Sequence, residues 1–325
     1  MLSVNDQNMI PARGAKMDAV QTPILLTCGV FVLEISPRTG KIMGLRTRTF
    51  LDKNLLVDGF SSERSAALAG MAAGRSVYDS SEAWGVDECF PTIAENAQPL
   101  LRDHGALWGQ WMQSQTHNPN EISSVWDLSS VFSVANTLNT EKAPDRPCVF
   151  KRKIWVEHTP ADSNTATFHF EVQFPRVLTD ASSSSVQIQS LYASHALFEA
   201  QANDLFSVFA GKEVLYSEPF PPAEKREANK RYFSHPALRA ILVRPALGLK
   251  IEIVCEQNLP HLGIWWCNNG WGDGRDHRTI GIQPTNFASG GPLFLSDTHS
   301  KTPAPELLSS SYDTCRFTWV LNSSL

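Results

Sequence analysis

Strict two-residue alternation constrains this chain more than any other feature in it. Residues 166–174 read A-T-F-H-F-E-V-Q-F. Phe168, Phe170, Val172 and Phe174 fall on one side; His169, Glu171 and Gln173 fall on the other. Successive side chains of an extended strand point to opposite faces, so the four apolar groups enter a core and the polar ones meet water or a cavity. Residues 249–256 nearly repeat the pattern with Leu249, Ile251, Ile253 and Cys255, and residues 315–322 do so with Phe317, Trp319 and Leu321. Further strand-like runs cover 24–35, 41–50, 129–138, 148–158, 186–193, 205–216 and 240–243. Helical signals are sparse: the Ala-rich stretch 62–73 is stopped by Gly70 and Gly74. No strand–helix alternation and no Gly-rich loop after a strand supports a doubly wound or TIM-barrel chain. The expected class is all-β, built as a large antiparallel sandwich or barrel.

The bulk of the chain fits that class. With 325 residues, 42% of them hydrophobic, it has apolar material for a large core, and no composition break divides it. Residues 1–23 are polar and lack the apolar centre of a secretory signal, so they read as a flexible lead-in to a single domain over 24–325. A net charge of −5 offers no basic field for nucleic acid or an anionic membrane, and no apolar run is long enough to span a bilayer. The six cysteines (28, 89, 148, 255, 267 and 315) are scattered without a C-x-x-C. Reduced thiols in the cytoplasm are the expectation, although an even count leaves disulfides open.

Chemistry-bearing residues gather in a few stretches. Residues 84–111, W-G-V-D-E-C-F-P-T-I-A-E-N-A-Q-P-L-L-R-D-H-G-A-L-W-G-Q-W, carry too many Gly and Pro for a helix and a middle too polar for a buried strand. They read as an ordered loop across the mouth of a pocket, or as a structural lid whose Trp residues fill gaps. Residues 261–274 hold Trp265, Trp266 and Trp271 with Asn268 and Asn269. Aromatic faces pack on the C–H faces of sugars while amides read hydroxyls; an aromatic corner of the sandwich is the structural alternative. Residues 279–293 look like a strand that delivers Gln283 and is stopped by Pro284, and 219–231 reads as a solvated charged loop. Neither H-x-H nor H-E-x-x-H occurs, so no metal and no cofactor are expected, and no G-x-S-x-G elbow supports a serine hydrolase.

Five of these pieces occur together in one order: W-G-V-D-E-C-F-P-T (84–92), D-H-G-A-L-W (103–108), Y-A-S-H-A-L-F (192–198), I-W-W-C-N-N-G-W (264–271) and I-G-I-Q-P-T (280–285), after an early P-R-T-G-K-I (37–42). In that order they resemble the aldose 1-epimerase, or galactose mutarotase-like, family over most of residues 24–322. The resemblance implies a large antiparallel β-sandwich with a sugar site on its concave face and a reaction that opens and recloses a sugar ring. One group takes the C1 hydroxyl proton while another protonates the ring oxygen. By motif, His195 matches the acid and His104 the histidine that positions the ring oxygen. The base is expected at the Glu of an L-E-P-T-like motif, which here reads I-Q-P-T and carries Gln283. Ala196 also stands where the family usually has Pro.

An amide keeps the shape and hydrogen-bonding groups of a carboxylate without its basicity, and loss of a general base slows a reaction by about 10²–10⁴. Three readings therefore stay open. One is an active isomerase with a substitute base, for which Asp87, Glu88, Asp103 and Glu199 are candidates. Another is a repurposed enzyme that isomerises or cyclises a less polar metabolite. The third is a non-catalytic carbohydrate-binding protein. In each, a small molecule is the partner. Trp108, Trp265 and Trp266 are expected to wall the pocket, with Asp87 and Arg102 at its edge and Asn268 among the ligand-binding groups.

Overall fold

A computed structural model of the chain describes residues 22–48, 53–57, 84–92, 104–105, 107, 112–129, 132–134, 146–180, 183–269, 278–287, 293–294 and 312–323. Among these residues 22 strands form three antiparallel sheets. The eight-stranded sheet contains β1 (Ile24–Cys28), β2 (Phe31–Ile35), β3 (Ile42–Thr47), β4 (Val86–Cys89), β13 (Ala193–Glu199), β16 (Glu227–Ser234), β19 (His261–Asn268) and β20 (Arg278–Thr285). They lie side by side in the order β1-β2-β3-β4-β13-β20-β19-β16.

The nine-stranded sheet contains β5 (Ser114–Asn118), β6 (Glu121–Asp127), β9 (Val149–Val156), β10 (Thr165–Pro175), β14 (Leu205–Ala210), β15 (Glu213–Pro219), β17 (Leu238–Arg244), β18 (Leu249–Cys255) and β22 (Tyr312–Asn322). Its order is β15-β14-β17-β18-β22-β10-β9-β6-β5. A smaller sheet joins β7 (Phe132–Val134), β8 (Arg146–Pro147), β11 (Val177–Asp180), β12 (Ser183–Gln189) and β21 (Leu293–Phe294) in the order β21-β12-β11-β7-β8.

The core lies between the two large sheets, and the alternating segments supply it. Phe168, Phe170, Val172 and Phe174 of β10 are fully buried, while His169, Glu171 and Gln173 between them are half-exposed. Phe170 stacks on its cross-strand partner Phe317 with ring centroids 4.6 Å apart. The facing sheet contributes Ala196 and Phe198 from β13, Leu262, Ile264 and Trp266 from β19, and Ile280 and Ile282 from β20. Phe198 and Trp319, 5.9 Å apart, join the two layers. All six cysteines are buried and unbridged. No helix among the described residues is long and apolar enough to cross a membrane.

Several segments differ from their sequence reading. The runs 24–35 and 205–216 are each two strands, folded at turns over 29–30 and 211–212. Part of the charged loop 219–231 is the edge strand β16. An edge strand exposes one side to water, so its Glu227, Lys230 and Arg231 are tolerated. The polar edge strand β5 escaped notice for the same reason, and with it the hairpin it forms with β6. Val86–Cys89 is a buried strand in mid-sheet, not loop. Its two carboxylates are accommodated because each meets a buried cation: Lys41 for Asp87 and Arg152 for Glu88. The lead-in and the Ala-rich stretch fall outside the described residues, apart from residues 22 and 23.

Candidate functional site

Antiparallel pairing builds a single row of side chains across the eight-stranded sheet. Ile42 pairs with Val86, which sets Lys41 opposite Asp87. Asp87 pairs with His195. Ala193 pairs with Thr285 and Ala196 with Ile282, which sets His195 opposite Gln283. Gln283 pairs with Gly263, and Gly263 with Tyr232. Residues directly opposite one another share a face, with Cβ atoms about 4.5–5.5 Å apart. Lys41, Asp87, His195, Gln283, Gly263 and Tyr232 therefore form one line on the face turned away from the core.

Local contacts fix each member. Lys41 Nζ pairs with Asp87 Oδ1 and lies 4.2 Å from the centre of the Trp84 ring. The Tyr232 hydroxyl donates to Gln283 Oε1 at 3.5 Å. Space for the row comes from missing side chains. A Cβ on Gly281 would stand 2.6 Å from His195 Nε2, and one on Gly263 would stand 3.0 Å from Gln283 Oε1. His104 reaches the row from a loop. Its ring stacks on His195 at 5.8 Å and 19°, and Trp265 meets His195 edge-on at 6.1 Å and 74°. Gly105 anchors that loop: it bridges Phe90 at φ +73°, and a Cβ there would lie 2.1 Å from the Phe90 carbonyl oxygen.

The electrostatics centre on His195. Its imidazole is buried, and neither ring nitrogen has a hydrogen-bond partner among the described residues. Burial, then His104, then the ammonium groups of Lys230 and Lys41 hold its pKa well below the ordinary 6.5. Glu88, one residue from Asp87, points to the opposite face. It accepts from Arg152 Nη1 at 3.1 Å and from the Tyr192 hydroxyl at 2.7 Å, and burial raises its pKa. A small cavity at the Lys41 end is lined by Gly40, Lys41, Asp87, Glu88, Trp126 and Arg152; it holds these ion pairs rather than the histidines. No three His, Cys, Asp or Glu side chains gather as a metal site among the described residues.

The structure brings His104, His195, Gln283, Asp87 and Trp265 together. Trp266 and Asn268 do not join them. The pleat of β19 turns Trp266 into the core against Phe206 and Phe220. Buried Asn268 donates to the carbonyls of Pro222 and Lys225 and accepts from Arg278, which ties down the preceding loop. Among the candidate substitute bases, Glu88 is occupied in the interior and Glu199 is exposed at the end of β13. Arg102, Asp103 and Trp108 lie outside the described residues. The sequence reading missed Lys41, Tyr232 and the two glycines. Lys41 stood inside the quoted P-R-T-G-K-I, but only the sheet register reveals its partner.

Solved structures share this architecture. A galactose mutarotase-like protein from Lactobacillus casei ATCC 334 superposes with a TM-score of 0.55 at 12% identity, covering 92% of this chain and 100% of that one. The fold is that of the galactose mutarotase-like β-sandwich. A provisional aldose 1-epimerase from Escherichia coli K12 matches this mutarotase-like sandwich with a TM-score of 0.52 at 13% identity, over 93% of this chain and 98% of its own. A galactose mutarotase related enzyme from Lactobacillus acidophilus gives 0.50 at 12% identity, over 93% and 98%. No protein-family model matches the sequence, and no curated protein matches it. At these identities the likeness is one of fold, and function has to be argued from the site itself.

Proposed function

We propose that the chain is an isomerase of the aldose 1-epimerase type, acting on the hemiacetal of a sugar or sugar-like ligand by His-assisted proton transfer. One observation carries the reading: His195 is buried, with no partner for either ring nitrogen among the described residues, opposite Gln283 and against the stacked ring of His104. Unpartnered buried polar atoms in a row of hydrogen-bonding groups suit a polar ligand that completes them. In this reading His195 handles the proton and His104 orients the ring oxygen. Gln283, steadied by Tyr232, binds a hydroxyl, and Trp265 offers its aromatic surface to the sugar's C–H groups.

The test is anomer exchange of common aldoses, followed by polarimetry or exchange NMR with purified protein. Exchange above the spontaneous rate that His195→Ala abolishes in a folded variant supports the reading. Full exchange in that variant removes His195 from the reaction. Trp265 also packs against Met43, Val57, Trp84 and Leu197 on the same face. That apolar patch favours a second reading, isomerisation or cyclisation of a less polar metabolite. Absence of exchange on every aldose would bring it forward.

A further inference from the structure

His195 has the surroundings of a group that works alone. We propose that its neutral imidazole both takes the hemiacetal proton and returns it to the ring oxygen, so that one residue does the work of a base and an acid. The proposal rests on the isomerase reading above and specifies its chemistry. The imidazole nitrogen accepts the O1 proton, the C1–O5 bond breaks with its electron pair passing to O5, and C1–O1 becomes the carbonyl. The imidazolium then delivers the same proton to O5. Reclosure on the other face of C1 reverses these steps and yields the other anomer, with no net change in the protein. O1 and O5 are both bonded to C1, so one nitrogen can serve both.

Among the described residues, no second group in the row is placed to transfer that proton. Gln283, opposite His195, is an amide and neither gives nor takes a proton at neutral pH. Asp87, on the other side, is held by Lys41. Glu88 points into the core and is bonded to Arg152 and Tyr192. His104 lies stacked on His195, so its in-plane nitrogens point past that ring and do not relay its proton; in the shuttle it holds O5 by a hydrogen bond, and the proton that O5 receives comes from His195. Tyr232 spends its hydroxyl on Gln283, and Lys230, on the neighbouring row, is exposed.

A resting imidazolium would leave two charged N–H groups buried with no acceptor among the described residues, which a neutral ring avoids. Burial and the charges of Lys41 and Lys230 push the same way. His104, Asp87, Lys41, Lys230 and Tyr232 are the titratable groups among the described residues that face His195 from the packed elements.

The experiment is the pH profile of kcat/KM for anomer exchange with the full chain, next to an NMR titration of the His195 ring. A base paired with a separate acid gives a bell. The single shuttle gives one acid limb, with a midpoint below 6.5 that matches the His195 titration, and a plateau above it. Gln283→Glu should move that limb to higher pH, because a carboxylate opposite the ring favours its charged form. An alkaline limb between about pH 7 and 9 overturns the shuttle and leaves the isomerase reading standing. So does a limb that departs from the His195 titration or stays in place in Gln283→Glu. No exchange with any sugar at any pH removes both.

Discussion

Replacing Gly281 by alanine tests the site's geometry with a single methyl group. The added carbon would lie 2.6 Å from His195 Nε2 and 3.0 Å from Trp265 Cε3. Ordinary contact begins at 3.4 Å, so the imidazole must retreat by about 0.8 Å. The backbone cannot give way instead, because Gly281 is paired on both sides, with Leu197 and with Trp265. Misplacing a catalytic group by about 1 Å costs on the order of 10²-fold in rate, and overpacking of this kind costs roughly 1–3 kcal/mol in stability. The expected variant is folded, modestly destabilised and nearly inactive. Anomer exchange, a denaturant midpoint and the His195 ring resonances read the three consequences separately. Unchanged ring resonances with full exchange would refute the argument, because they would mean that His195 does not rest against the Gly281 backbone.

Other outcomes follow from the same structure. Trp266→Ala removes a core ring and should cost about 3–5 kcal/mol by urea denaturation. Trp265→Ala should lose much less stability but weaken ligand binding measured by calorimetry. Arg244→Met leaves Asp204 buried without its partner and should cost roughly 3–5 kcal/mol, and Asp204→Leu in the same chain should restore part of it. His195 also sets a pH dependence of folding. Between its lowered folded value and 6.5 the unfolded chain binds a proton that the folded chain does not, so this contribution is intact above 6.5 and is lost as pH falls. His195→Gln should flatten the fall in denaturant midpoint below pH 6.5 relative to the parent.

The sheet was legible wherever one face of a strand is buried and the other wet. Residues 166–174, 249–256 and 315–322 announced themselves by alternation, and all lie in the nine-stranded sheet. The site sheet was harder to read. Val86–Cys89 is buried on both faces, and its carboxylates mimic a loop until Lys41 and Arg152 are seen beside them. At 265–266 the sequence shows two adjacent tryptophans of equal promise. Only strand direction and pleat assign one to the site and the other to the core. His104, His195 and Gln283 were found through ordered motifs, since nothing local marks a histidine as buried and unpartnered. Tyr232 was hidden because an exposed edge strand has the composition of a loop.

The row from Lys41 to Tyr232 runs across strands rather than along them. Its members come from points up to 242 positions apart in the chain, from Lys41 to Gln283, yet neighbouring strands sit about 4.8 Å apart. No contiguous fragment short of that span contains all of them. Under the proposed function, ligand recognition is therefore a property of the completed sheet, with β3, β4, β13, β20, β19 and β16 side by side. During refolding, recovery of binding would then report completion of that sheet.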